Sequence, residues 1–184
     1  MSRSEKLSSP PRVAARSGAI ALRPPVLADG AEIWHLVRRS GTLEENSCYA
    51  YLLLCTHFAD TCVVAEKDGS LAGFVAAYVP PVKPDVIFVW QVAVDPAVRR
   101  VRLGTRLLAH LVSLPRVRSA RFLEATVTPS NQASRRLFAS FAAAIGVACR
   151  ETDGFAPRDF AGASHEAERL LRIGPLPGHY QGNA

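Results

Sequence analysis

The sequence predicts an α/β (α+β) fold, with one mixed central sheet of six to seven strands flanked by about four helices. Three observations carry that reading. Apolar patterns of strand and helix length follow one another as strand, two helices, three strands, helix, strand, helix and two closing strands. Asp68-Gly69 stands between two apolar strand patterns, which signals a tight hairpin. The strand Phe88-Val89-Trp90-Gln91-Val92-Ala93-Val94 stops at Asp95-Pro96 and runs through an arginine-rich loop straight into an amphipathic helix.

A first strand is expected at 19–22, closed by Arg23-Pro24-Pro25. Asp29 then caps a helix to about Ser40, with Ile33, Trp34, Leu36 and Val37 on its apolar side. The polar stretch 41–47 leads to a second helix over 48–58. Residues 61–67 and 71–79 form the hairpin, which Pro80, Pro81 and Pro84 end. A strand at 86–94 precedes a helix at 104–112, whose Leu103, Leu107, Leu108 and Leu111 are spaced to pack on a sheet. A strand at 122–127 follows, and Thr128-Pro129-Ser130-Asn131 starts a helix to about Phe141. That strand-helix-strand-helix run makes neighbouring parallel strands. Residues 147–151 and 168–173 read as closing strands around a long Gly-rich loop at 152–164.

A chain of 184 residues suits one domain, and no apolar run approaches the roughly 20 residues needed to span a bilayer. Residues 1–18 read as a disordered basic tail, 19–176 as a single domain and 177–184 as a C-terminal tail. The N-terminal tail lacks the apolar core of a signal peptide, and its four cations against one carboxylate carry half of the net charge of +6. Much of the rest lies between Asp95 and Arg121, where seven arginines face one aspartate. Aromatics are not interleaved there, so a phosphate-bearing ligand is favoured over nucleic acid. Cys48, Cys55, Cys62 and Cys149 form no CxxC pair, which argues against zinc and a redox motif and for reduced thiols in a cytoplasm.

Arg99, Arg100, Arg102 and Arg106 fall within eight residues around the start of a helix. Helix-start amides beside several guanidinium groups suit a pyrophosphate better than a carboxylate; the plainer reading is a solvated basic loop.

The order of elements over 19–173 resembles the GNAT superfamily of N-acetyltransferases. Arg99-Arg100-Val101-Arg102-Leu103-Gly104 sits where that superfamily carries Gln/Arg-x-x-Gly-x-Gly/Ala, the loop whose amides bind the pyrophosphate of acetyl-CoA. Arg102 departs from the pattern, which has glycine there. Asn131-Gln132-Ala133-Ser134-Arg135-Arg136-Leu137-Phe138 is similar to the Asn-x-x-Ala-x-x-Leu-Tyr segment beside the pantetheine arm, with Phe138 in place of the tyrosine that protonates the departing thiolate in many relatives. Taken alone, Asn131 is a plain helix cap. The resemblance implies cofactor contacts from Gln91, Val92, Ala93, Val94, Arg99, Arg100, Arg102, Leu103, Gly104, Thr105, Asn131, Ser134 and Phe138.

Within the superfamily, five stretches look like the L-2,4-diaminobutyrate acetyltransferase family of ectoine biosynthesis. They are Ser40-Gly41-Thr42-Leu43-Glu44-Glu45-Asn46-Ser47, Tyr51-Leu52-Leu53-Leu54-Cys55, His57-Phe58-Ala59-Asp60-Thr61-Cys62-Val63-Val64-Ala65, Phe88-Val89-Trp90-Gln91 and Ala125-Thr126-Val127-Thr128-Pro129-Ser130-Asn131. That resemblance implies acetyl transfer from acetyl-CoA to the 4-amino group of L-2,4-diaminobutyrate by a cytoplasmic homodimer, with no metal, nucleic acid or membrane partner. It implies a substrate pocket of Thr42, Glu44, Tyr49, Trp90, His165 and Glu168. A diamino acid calls for acidic groups and an aromatic wall. Its amine is protonated at neutral pH, so a base must act, and Glu44, Glu168 and His165 are the candidates in that order. Another small amine as acceptor, a non-catalytic acetyl-CoA sensor and a nucleic-acid-binding module remain open at this point.

Overall fold

The computed structural model describes residues 18–41, 43, 46–98, 102–161 and 165–178. In chain order the elements are β1 (Ile20–Arg23), α1 (Asp29–Ser40), α2 (Cys48–His57), β2 (Val63–Lys67), β3 (Ser70–Tyr78), β4 (Val86–Val94), α3 (Leu103–Ser113), β5 (Phe122–Val127), α4 (Gln132–Ala144), β6 (Cys149–Phe155) and β7 (Glu168–Ile173). The strands form one mixed sheet in the order β1-β2-β3-β4-β5-β7-β6, in which β4 and β5 are parallel and the other neighbours antiparallel.

Strand alternation divides the core into two layers. Val63, Ala65, Val75 and Ala77 face α3 and α4 and pack with Leu107, Leu108, Leu111, Phe138 and Phe141. Val64, Phe74 and Ala76 face the other way, onto Ile33, Leu36, Val37 and Tyr51 of α1 and α2.

Three local expectations need correction. Asp29 is not the cap of α1: that position is Ala28, and Asp29 begins the helix itself. Its buried carboxylate instead accepts from the Val26 N–H at 2.7 Å and from the Arg23 guanidinium at 2.6 and 3.0 Å. A full charge opposite a buried carboxylate outcompetes a cap bond; the paired carboxylates of Asp29 and Glu66 in turn raise the Arg23 pKa. The hairpin's first strand starts at Val63, because Thr61 closes a short 3₁₀ turn and donates its hydroxyl to the Ala77 carbonyl at 2.7 Å.

The third correction lies at the end of the chain. Residues 152–155, expected in a loop, belong to β6. The register steps from Asp153↔Arg169 to Phe155↔Glu168, so Gly154 is an extra residue in a bulge. A side chain at Gly154 would run into the Glu168 carbonyl oxygen. The glycine that suggested a loop is what lets the strand continue.

Candidate active site

The cleft exists because two parallel strands part. β4 and β5 pair only across Val86↔Phe122, Ile87↔Leu123 and Phe88↔Glu124, while β4 runs on to Val94 and β5 to Val127. Just past the last pair, the β3 ladder steps from Ala77↔Val89 to Ala76↔Gln91 and leaves Trp90 in a bulge. A bulge bends its strand and sharpens the local twist, which fits the divergence. Trp90 is consequently 40 % exposed, although it sits mid-strand.

The alternation of the β3–β4 ladder fixes which backbone groups face the gap. Asp95 N–H donates to the Ala72 carbonyl at 2.9 Å, so Ala93 and Gln91, in the same phase, turn their backbone to β3. Val92 and Val94 turn theirs to the side that β5 has left. Of the expected amides over 91–94, it is therefore those of Val92 and Val94 that are offered to a ligand. The Ala93 side chain lies in the core under α1 and α2.

Around the gap lies a cleft of about 570 Å³. Trp90, Gln91, Val92, Asn131, Ser134, Phe138, His165 and Glu168, all expected from the sequence, line it together. Asn131 also caps α4, accepting from the Ser134 N–H at 3.0 Å. Gln91 is buried, and its Oε1 accepts from the Tyr51 hydroxyl at 3.0 Å.

Tyr49 does not line the cleft and is 66 % exposed. Two residues of helix turn through about 200°. With Tyr51 at 0 % exposure inside, Tyr49 must face out. Thr42, Glu44, Arg99 and Arg100 lie outside the described residues. Leu43 and Asn46, on either side of Glu44 in sequence, both line the cleft. Asn46 is held there by its carbonyl, which accepts from the Trp34 indole N–H at 3.2 Å.

The acceptor end of the cleft is aromatic and acidic. Phe160 stacks on His165 with ring centroids 3.7 Å apart, and Phe155 meets Phe160 edge-on at 6.2 Å. His165 Nδ1 lies 2.6 Å from the Glu166 carbonyl oxygen. A carbonyl only accepts, so Nδ1 carries the proton and the lone pair of the neutral ring is on Nε2. Glu168 stands on the far side of the Gly154 bulge, which turns it and Phe155 inward. Glu124, buried nearby, is matched by Arg172 at 2.6 Å and Lys83 at 3.3 Å and lines no part of the cleft.

A second trough, of about 850 Å³, runs between the start of α3 and one face of α4. Val94, Arg102, Leu103, Gly104 and Thr105 line it. The first backbone bond of α3 joins Arg106 N–H to the Arg102 carbonyl at 3.1 Å, so the amides of Leu103, Gly104 and Thr105 have no acceptor within the helix. Three such amides at a positive dipole end suit a diphosphate. Arg102 explains its own oddity: its φ of 52° is left-handed, the conformation that favours glycine. Gly104 packs closely on α4: a Cβ there would come within 2.8 Å of Leu137 Cδ1 and push that side chain aside. Arg106 turns away and donates to the Ile20 carbonyl at 3.4 Å.

Sequence reasoning missed Asn46, Phe155 and Phe160 in the cleft and the α4 wall of the trough. For α4 a signal was present: Ala133, Leu137, Ser140 and Ala144 repeat at helical spacing as a strip of mostly small residues.

Comparison with known proteins fits this geometry. Residues 31–142 match the acetyltransferase (GNAT) family. The L-2,4-diaminobutyric acid acetyltransferase of Bordetella parapertussis is 52 % identical over 156 residues, 84 % of each chain. That of Halalkalibacterium halodurans is 45 % identical over 85 % of this chain and 82 % of its own. Among solved structures, diaminobutyrate acetyltransferase EctA from Paenibacillus lautus, in complex with its substrate L-2,4-diaminobutyric acid and coenzyme A, superposes with a TM-score of 0.82 at 40 % identity, covering 86 % of this chain and 96 % of that one.

Proposed function

Because this chain belongs to the acetyltransferase (GNAT) family and aligns nearly end to end with its L-2,4-diaminobutyric acid acetyltransferases, we propose that it acetylates the 4-amino group of L-2,4-diaminobutyrate from acetyl-CoA. The product, N4-acetyl-L-2,4-diaminobutyrate, is a precursor of the compatible solute ectoine. One observation carries the reading: an aromatic and acidic cleft opens onto the same strand divergence that exposes the Val92 and Val94 backbone.

The chemistry follows from that placement. The acceptor amine arrives as an ammonium and must lose a proton before its nitrogen can attack. Glu44 is the first candidate to take it, with Glu168 and the Nε2 lone pair of His165 next. Trp90, Phe155 and Phe160 supply faces over which a cation is favourable. As the C–N bond forms, charge gathers on the thioester oxygen, and the Val92 N–H is the backbone donor nearest this end of the gap. The nitrogen of the tetrahedral intermediate then gives up its second proton to solvent, the carbonyl re-forms as the C–S bond breaks, and the CoA thiolate departs with the bonding electron pair. Phe138 has no proton to give, so departure relies on the low basicity of a thiolate. The trough beyond holds the rest of acetyl-CoA, with its diphosphate on the α3 amides. Among the described residues no cluster of three or more metal-ligating groups occurs.

We also read the enzyme as a cytoplasmic homodimer. Two features support this: the outer face of α2, where Tyr49 is exposed beside the half-buried Leu52 and Leu53, and four cysteines present as free thiols. No helix among the described residues is long and apolar enough to cross a membrane.

The test is CoA release with L-2,4-diaminobutyrate, followed by identification of the acetylated nitrogen. Diaminobutyrate is expected to outperform ornithine, lysine and spermidine by a wide margin. Acetylation at the 2-amino group, or equal rates with spermidine, would overturn the assignment.

A further inference from the structure

Coenzyme A carries a central diphosphate and, at its far end, a monophosphate on the ribose 3′ oxygen. The α3 amides account for the first. Across the trough, Ala133, Arg136, Leu137, Ser140, Ala143 and Ala144 of α4 form the opposite wall. They recur every three or four residues, a strip about 16 Å long at 1.5 Å per residue. Arg136 is its one charged member.

Arg136 makes no ion pair or hydrogen bond among the described residues. Its neighbour Arg135 points elsewhere, to the Glu151 carboxylate at 2.6 Å. A guanidinium on a wall otherwise made of small and apolar side chains, with no carboxylate to match it, is complementary to an incoming anion. Its height along the trough is fixed by packing. Gly104, whose amide belongs to the diphosphate site, lies against Leu137, so Arg136 stands at the same level on the other wall. A long, flexible arginine side chain can extend from there along the trough, away from the helix amides.

We propose that Arg136 binds the 3′-phosphate of coenzyme A and makes the trough selective for the 3′-phosphorylated cofactor. This rests on the acetyl-CoA reading of the trough. Arg102 and the helix amides serve the diphosphate, which every CoA derivative shares, whereas Arg136 serves the one group that dephospho-CoA lacks.

Titration calorimetry with CoA and with 3′-dephospho-CoA tests this without turnover. The wild-type protein is expected to bind CoA about tenfold more tightly than dephospho-CoA. In R136A the preference falls within twofold because CoA alone weakens, and R136K recovers part of it. At 0.5 M salt the wild-type preference shrinks, since the site is open to solvent. Equal wild-type affinities, or an R136A variant that weakens both ligands alike, would overturn the proposal. Failure of the folded wild-type protein to bind either ligand would overturn the cofactor reading as well, and the paired ligands separate these results.

Discussion

The Tyr51 hydroxyl donates to Gln91 Oε1 at 3.0 Å, with Tyr51 wholly buried and Gln91 nearly so. The bond joins α2 to the residue beside the Trp90 bulge. Tyr51→Phe keeps the ring and its edge-on contact with Phe74 at 6.0 Å but strips Gln91 of a buried partner. The expected cost is about 1–3 kcal/mol in denaturant unfolding. Turnover should fall as well, because Gln91 and Trp90 wall the cleft. An unchanged midpoint with unchanged kcat/KM would show that the bond positions nothing.

Arg102 occupies a left-handed turn at φ 52° and also lines the cofactor trough. Arg102→Gly removes a backbone cost of about 1 kcal/mol, worth roughly 2–4 °C in Tm for a chain of this size. Arg102→Ala keeps the strained φ and gains nothing. The alanine variant should weaken acetyl-CoA by severalfold through loss of the guanidinium. Thermal melts and acetyl-CoA titrations of the two variants separate strain from charge.

Gly154 is the extra residue in β6, and a Cβ there meets the Glu168 backbone, which cannot swing aside. Gly154→Ala is expected to destabilise by about 1–3 kcal/mol and to displace Phe155 and Glu168 from the cleft. KM for diaminobutyrate should rise severalfold while the Kd for CoA stays within twofold, since the trough is built from α3 and α4. A rise in both would mean that the bulge supports the whole domain.

How much of this was legible in the sequence depended on whether the signal was local. β4 and β5 fall at their expected residues because each is a short, mainly apolar run bounded by breakers or turns, and β7 does so although half its residues are charged, with Leu171 and Ile173 alternating into the core. The basic stretch before α3 was visible as arginines ahead of an amphipathic helix, and of these Arg102 lines the trough. Gly154 was misread because its role depends on a partner strand fourteen residues downstream in the fold's ladder, not on its neighbours. Tyr49 and Tyr51 sit two residues apart in a helix that is apolar all round, so periodicity gave no inward face to choose. The stacked pair Phe160 and His165 lies outside any helix or strand, where no periodic pattern encodes a contact.

Glu44 and Tyr49 make a direct test of the proposed acceptor site. Glu44→Ala removes the first candidate base and should lower kcat by at least tenfold. Tyr49→Phe alters a side chain that points to solvent in the single chain and should leave kcat within twofold. Comparable losses in a steady-state assay would reject this division of roles.

Two buried thiols give the protein an alkaline limit. Burial, with the Asp29 charge behind it, pushes Cys55 up to about 12 from its ordinary 9.0. Burial likewise lifts Cys62 to about 11. Below pH 9 both thiols are protonated folded or unfolded, and their contribution to stability is fully present. Above pH 9 the unfolded chain releases these protons while the folded chain keeps them, so stability falls with rising pH until about 11 to 12. Each thiol adds up to about 1.4 kcal/mol per pH unit to that slope. Between pH 8.5 and 10.5 the unfolding free energy should drop more steeply in the wild-type protein than in a Cys55→Ala, Cys62→Ala variant. The variant starts less stable because two small cavities replace the sulfur atoms, but its curve should be flatter. All other titratable groups are common to both proteins, so the difference between the slopes reports the two thiols. Parallel curves would mean that the thiols ionise equally in the folded and unfolded states.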